Sequence, residues 1–190
     1  MILIRSYKSS LGEMTLASEG DALVGLWFKG QHCLSPYLLG LQDRQEEGDA
    51  PILDQVRRWL DTYFTGRQPD FMPPVRLSGT PFQMLVWRLL MGIPYGQVVT
   101  YGELANEAAK CMGKPSMSSQ AVGQAVGRNP VAILVPCHRV VAAGGRMGGY
   151  AAGVDRKRRL LQLENTSGDC RHSEPLVPLA ASASYHLDFE

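Results

Sequence analysis

Apolar and polar positions follow a short, strand-like period at the start of the chain and a helical one beyond it. Ile2–Tyr7, Met14–Ala17 and Leu23–Phe28 are alternating or continuously apolar, and Ser9-Ser10-Leu11-Gly12 and Glu19-Gly20-Asp21 break them. Such runs predict three strands in an antiparallel meander. A polar stretch, Gln42 to Gly48, leads to Pro51–Phe64, where Ile52, Val56, Trp59, Leu60 and Phe64 recur at the spacing of one helix face. Gly66 to Pro74 is rich in proline and has no period, which reads as a linker between two small domains.

Three helices are predicted next. Thr80-Pro81-Phe82-Gln83 offers a capping threonine, a proline at the first helical position and a glutamine able to reach back to the cap, so a helix runs from Pro81 to about Met91. Thr100-Tyr101-Gly102-Glu103 repeats the device and starts a helix ending near Lys110. Gly113-Lys114-Pro115 breaks the chain. A helix from Ser118 to about Arg128 follows and stops at Asn129-Pro130, because the residue before proline disfavours helical geometry. Helix, break and small-residue helix make a helix-turn-helix pattern. The apolar run Val131–Val135 then reads as a strand ended by Pro136, with a helix over Arg156–Leu163 closing the second half.

Composition narrows the class. With 190 residues and 45% hydrophobic content the chain can bury a core. No apolar stretch reaches the ~18 residues of a membrane helix and the start is too short for a signal peptide, so a cytoplasmic location is expected. The four cysteines, Cys33, Cys111, Cys137 and Cys170, form no Cys-x-x-Cys pair, which points to reduced thiols rather than a disulfide framework. Charge is uneven beneath a net value of +1: residues 1–77 carry 8 Lys/Arg against 10 Asp/Glu, residues 78–164 carry 10 against 4, and residues 165–190 carry 1 against 4. A basic middle segment is either a solvated surface or a field that attracts a polyanion.

That basic segment also holds the candidate chemistry. Pro136-Cys137-His138-Arg139-Val140-Val141 sets a thiol beside an imidazole directly after an apolar run. A free cysteine of pKa roughly 8.5 is mostly thiol at neutral pH, and a base that takes its proton makes it a strong nucleophile. Adjacent side chains on a strand diverge, so contact between Cys137 and His138 needs a bend or a bridging water.

Pro-Cys-His-Arg-Val, preceded by Asn129-Pro130 and followed by Gly148-Gly149-Tyr150, resembles the active-site signature of the O6-alkylguanine-DNA alkyltransferases. The likeness extends through Thr80-Pro81-Phe82-Gln83, Trp87, Ile93-Pro94-Tyr95-Gly96, Tyr101-Gly102-Glu103-Leu104-Ala105, Ala121-Val122-Gly123 and Lys157 to Glu164. It implies an α/β fold: a small ribonuclease-H-like α/β domain over 1–77, a mainly helical winged helix-turn-helix domain over 78–164 that carries the site, and a tail over 165–190. It also implies irreversible, single-turnover transfer of a methyl or alkyl group from O6 of guanine, less readily O4 of thymine, to Cys137, with no cofactor. The partner implied is double-stranded DNA containing O6-alkylguanine, bound by a protein monomeric in solution and able to cluster on DNA.

Roles follow from the resemblance residue by residue. Cys137 is the acceptor, and His138, oriented by Glu164, takes its proton through water. Asn129 ties the helix-turn-helix to the active-site loop, Tyr101 lies against the everted nucleotide and donates to the guanine, and Lys157 holds the loop or assists the leaving base. Ser119, Gln120, Ala121, Gly123, Arg128, Val140, Gly149, Tyr150 and Ala151 form the substrate and DNA contacts. The helix-turn-helix is implied to enter the minor groove, where small residues allow close approach. The chain departs from the pattern at Gln120, where many members place arginine, and within Asn106–Met117, where the turn is longer. His32 and Cys33 are too few for a zinc site, so no metal is expected; Cys170 and His172 in the tail are likewise insufficient. Two other readings stay open: lesion binding without transfer, and a cysteine hydrolase using Cys137 and His138.

Overall fold

A computed structural model describes residues 2–31 and 50–164. The polar stretch from Gln42 to Gly48, His32, Cys33 and the tail lie outside the described residues. Strands β1 (Ile2–Ser9), β2 (Gly12–Glu19) and β3 (Ala22–Phe28) form the expected antiparallel meander, in the order β1-β2-β3. Every residue of β3 is buried, which its unbroken apolar run anticipates for a strand covered on both faces. Helix α1 (Pro51–Tyr63) lies on one face of the sheet through Ile52, Leu53, Val56, Trp59, Leu60 and Tyr63.

The second half is helical. Helices α2 (Pro81–Met91) and α3 (Tyr101–Cys111) each begin with a complete capping box, Thr80 with Gln83 and Thr100 with Glu103. Each box satisfies two amides that a helix start leaves without partners. Helix α4 (Ser119–Gly127) follows the irregular residues after α3, so the helix-turn-helix is α3 and α4, and α5 (Val154–Leu163) ends at Glu164. Val99–Thr100 (β4) and Val140–Val141 (β5) make a two-residue parallel pair.

One expected element is absent. Val131–Val135 is no strand but a buried loop, bent at Ile133, whose φ of 70° is left-handed. Its ends pair elsewhere: the Leu26 amide donates to Pro130 O (2.9 Å) and the Ala132 amide to Leu26 O (2.8 Å), so the loop docks on β3. Partners far away in sequence therefore override the local apolar run. The segment after α1 leads back to the sheet. Around Val75 the Leu23 amide donates to Pro74 O and the Arg76 amide to Leu23 O, and one hydrophobic core runs from Met14 and Leu26 through Trp87 and Val135 to Leu160. The two halves share that core. Arg156 of α5 reinforces the junction, its guanidinium over the Phe28 ring (4.9 Å) and donating to Leu11 O (3.0 Å).

Candidate active site

Cys137 opens a single 3₁₀ turn, Cys137–Arg139, entered from Pro136. This is the bend that neighbouring thiol and imidazole require, and no hydrogen bond joins the two side chains directly. Asn129, just past the end of α4, holds the turn: its Nδ2 donates to Val135 O (2.7 Å) and to Cys137 Sγ (3.1 Å), while its Oδ1 accepts the Val131 amide (3.0 Å). Cys137 is only 7% exposed. Burial raises its pKa above the ordinary value, opposed by the Asn129 hydrogen bond and by the Lys157 charge. The buried Tyr150 hydroxyl lies beside the thiol without meeting hydrogen-bond geometry, and its dipole works in the same direction as Asn129. The resting sulfur is thus a thiol and needs a base.

His138 is fully buried behind it. Its Nε2 lies 2.8 Å from Glu164 Oε1 and 3.3 Å from the Tyr63 hydroxyl, and Nδ1 has no partner among the described residues. Burial lowers the His138 pKa, although the Glu164 hydrogen bond and charge pull it back up. Burial alone would raise the Glu164 pKa; donation from His138 and the Arg139 charge hold it well below the carboxylate range instead. Glu164 is therefore ionised and can only accept. Nε2 accordingly carries the proton toward it, which leaves the Nδ1 lone pair bare.

Glu164 collects donors from four residues. Besides His138 it accepts from the Tyr63 hydroxyl on Oε1 (2.7 Å), Arg139 Nε on Oε2 (2.9 Å), Arg139 Nη2 on Oε1 (3.0 Å) and the Gly96 amide on Oε2 (3.1 Å). Arg139 Nη1 also donates to Ile93 O (2.6 Å). Tyr63 and Arg139 were not among the residues the sequence singled out. Arg139 carried the signal of its motif position, and Tyr63 that of a place on the buried face of α1.

A pocket of about 220 Å³ opens over Cys137, lined by Tyr101, Gly123, Val126, Gly149, Tyr150 and Ala151 among others. Tyr101 stands as the first residue of α3, its ring between Gly123 and Gly148 and its hydroxyl 3.5 Å from Gly149 O. Gly148 has φ 65°, and a Cβ there would lie 3.2 Å from that ring, so both backbone and space call for glycine. Lys157 is fully buried and donates from Nζ to Val140 O (2.5 Å) and Gly149 O (3.2 Å), tying the loop over the pocket to β5. Burial lowers its pKa from 10.5 to about 8, against the raising effect of Cys137.

Other sequence-picked residues sit apart. Ser119, Gln120 and Arg128 are exposed on α4 and its end, Ala121 is half-buried, and none of them lines the pocket. Val140 is fully buried, away from the pocket lining, with its carbonyl taken by Lys157. The small residues of α4 divide: Gly123 makes room for Tyr101, and the Ala125 carbonyl accepts the Trp87 indole (2.9 Å). Gln31, three residues past β3, lines the pocket with no sequence signal to announce it. No group of His, Cys, Asp and Glu able to hold a metal occurs among the described residues, and no described helix is long and apolar enough to cross a membrane.

Fold and site together define a class: proteins in which an α/β layer supports a helix-turn-helix unit with a histidine-backed thiol beneath an open pocket. Family models agree. The ribonuclease-like domain of 6-O-methylguanine DNA methyltransferase matches residues 2–77, and its DNA binding domain matches residues 81–166. The methylated-DNA–protein-cysteine methyltransferase of Mycobacterium bovis is 40% identical over 166 residues, 87% of this chain and 94% of its own. That of Methanosarcina acetivorans is 39% identical over 161 residues, 84% and 96% of the two chains. Among solved structures, Mycobacterium tuberculosis OGT in complex with DNA superposes with a TM-score of 0.73 at 37% identity, covering 86% of this chain and 92% of that one. The chain belongs to the 6-O-methylguanine DNA methyltransferase family.

Proposed function

We propose that this protein repairs DNA by direct reversal, taking the alkyl group from O6 of guanine, less readily O4 of thymine, onto Cys137. The observation that carries the reading is the thiol at the floor of an open pocket, backed by a neutral imidazole whose free nitrogen can take its proton. The thiol proton passes through a bridging water to His138 Nδ1, and Glu164 stabilises the imidazolium that forms. Sulfur then attacks the O-alkyl carbon: the S–C bond forms, the C–O bond breaks, and its electron pair returns to the base. Guanine N1 takes up the proton, so the products are a thioether and an unmodified guanine. Nothing in the site hydrolyses a thioether. Each molecule therefore acts once, without a cofactor.

Tyr101 meets the everted base at the pocket mouth, where its weakly held hydroxyl can donate as charge develops. Gly149, Tyr150 and Ala151 close over that base, with Lys157 holding them in place. Double-stranded DNA is the partner, entered by α4 through Ser119, Gln120, Ala121 and Arg128. Over 78–164 eight exposed or half-buried cations face three such anions, because Arg139, Lys157 and Glu164 are buried inside. That surplus supplies the attraction to phosphate. The protein acts from the cytoplasm as a monomer.

The test is to incubate the protein with a duplex containing O6-methylguanine and weigh it. One methyl mass per molecule, mapped to Cys137 and lost in Cys137→Ser, is expected. Tight binding with no added mass would make it a lesion-recognition protein, and repeated turnover on an ester or peptide would make it a hydrolase.

A further inference from the structure

We infer that Tyr63, delivered by the last turn of α1 in the first half of the chain, is a positioning residue for the thiol chemistry: its hydroxyl donates to the same Glu164 oxygen that holds His138 Nε2–H and so sets how strongly that carboxylate draws the proton of the ring. The inference rests on the reading of Cys137 as acceptor and His138 as its base.

The geometry admits two proton arrangements. In one, the Tyr63 hydroxyl and His138 Nε2–H both donate to Glu164 Oε1, at 2.7 and 2.8 Å. In the other, Tyr63 donates to Nε2 across 3.3 Å. The second would set the Nε2 lone pair against an ionised carboxylate and leave a buried Nδ1–H with nothing to accept it. Only the first gives every donor an acceptor, and it leaves the Nδ1 lone pair bare to receive a proton. Tyr63 has one proton, and Glu164 takes it.

The ring is fixed independently of the hydroxyl. Tyr63 is fully buried, stacked on Trp59 (5.3 Å between centroids, 9° between planes) and edge-on to Phe64, Tyr95 and the His138 imidazole. Removing the oxygen alone should leave that packing intact while taking one of five donors from Glu164. A less compensated carboxylate stabilises imidazolium more, so His138 would hold a proton to higher pH and be unable to receive that of Cys137. The other groups facing His138 are Arg139 from its own turn and Lys157 from α5, and Tyr150 and Arg139 act on Tyr63. None is altered by the substitution.

The test uses the full chain, labelled with ¹⁵N at histidine, with the His138 signals assigned by their loss in His138→Gln. Wild type should show the neutral Nε2–H tautomer at pH 7. Tyr63→Phe should raise the His138 midpoint by roughly half to one pH unit, a shift of the size one lost hydrogen bond to a charged group produces, while the neutral ring keeps its Nε2–H tautomer against Glu164. The acid limb of single-turnover methyl transfer should move upward with it, giving a several-fold slower reaction just below neutrality. Trp59→Phe, which disturbs the stack but keeps the hydroxyl, should lower Tm without moving either midpoint. An unmoved His138 midpoint in folded Tyr63→Phe overturns the inference. Should that variant not fold, wild type decides: a slowly exchanging Tyr63 hydroxyl proton with cross-peaks to the His138 ring supports the assignment, and absence of that proton overturns it. The NMR readout requires no DNA, so a wild type that shows the expected tautomer but takes up no methyl would refute the repair reading and leave Tyr63 standing.

Discussion

Asn129 concentrates three jobs in one carboxamide: Nδ2 serves the Val135 carbonyl and the Cys137 sulfur, and Oδ1 serves the Val131 amide. Asn129→Ala should leave the buried Val131 amide unpaired and the Val135 carbonyl with the Cys137 amide as its remaining donor, costing about 1–3 kcal/mol by urea unfolding. It should also remove a donor that favours thiolate and slow transfer at least tenfold. A variant that unfolds earlier yet transfers at the wild-type rate would separate loop support from thiol activation and refute the second role. Lys157 acts on the same sulfur through charge. With its pKa near 8, it is a cation below that pH and neutral above it. Lys157→Met should therefore slow alkylation of Cys137 by iodoacetamide most below pH 8, with the two curves converging above it. Curves that run parallel across that range would show that the lysine only holds the Val140 and Gly149 carbonyls.

Helix α4 presents Gln120 to solvent in its first turn. An uncharged amide can hydrogen-bond an orphaned cytosine but lacks the charge and planar fork of arginine. Gln120→Arg should speed single-turnover transfer several-fold on duplex DNA and leave the rate on single-stranded DNA unchanged, because only the duplex has a gap to fill. Equal rates for both variants on duplex would remove residue 120 from the extrusion step. Which elements the sequence disclosed follows from where their stabilising partners lie. Thr80 with Gln83 and Thr100 with Glu103 are satisfied within three residues, so α2 and α3 could be read off with their starts correct. Val131–Val135 could not: its backbone pairs with Leu26, more than a hundred residues away, and Ile133 turns left-handed to allow it. Cys137, His138, Asn129 and Glu164 were legible through the motif and its order. The period of α1 reads through Phe64 and not Tyr63, whose task exists only once the end of α1 meets the end of α5. Gln31 showed nothing at all.

The shared core makes the site a property of the entire fold. Glu164 ends α5, Tyr63 ends α1, Gly96 precedes β4 and Arg139 lies in the active-site turn, so one buried carboxylate ties both halves together. Stability should then depend on pH through this network, and the sign is fixed by the two shifts. His138 is held below its ordinary value of 6.5, so as pH falls through 6.5 the unfolded chain takes a proton that the folded one refuses. Glu164 is held below 4.5, so the same imbalance returns as pH falls through that value. Both contributions are fully present above the unfolded values and are lost toward acid. Urea midpoints measured from pH 7.5 to 4 should therefore decline in two stages. His138→Gln should flatten the first stage and keep the second. Glu164→Gln strips Arg139 of a buried counter-ion, which costs roughly 3–5 kcal/mol, so its curve should lie lower throughout and lack the second stage. If wild type and His138→Gln declined identically between pH 7 and 5.5, the imidazole would have no part in the acid sensitivity, and the assignment of a neutral, buried His138 as the resting base would fail with it.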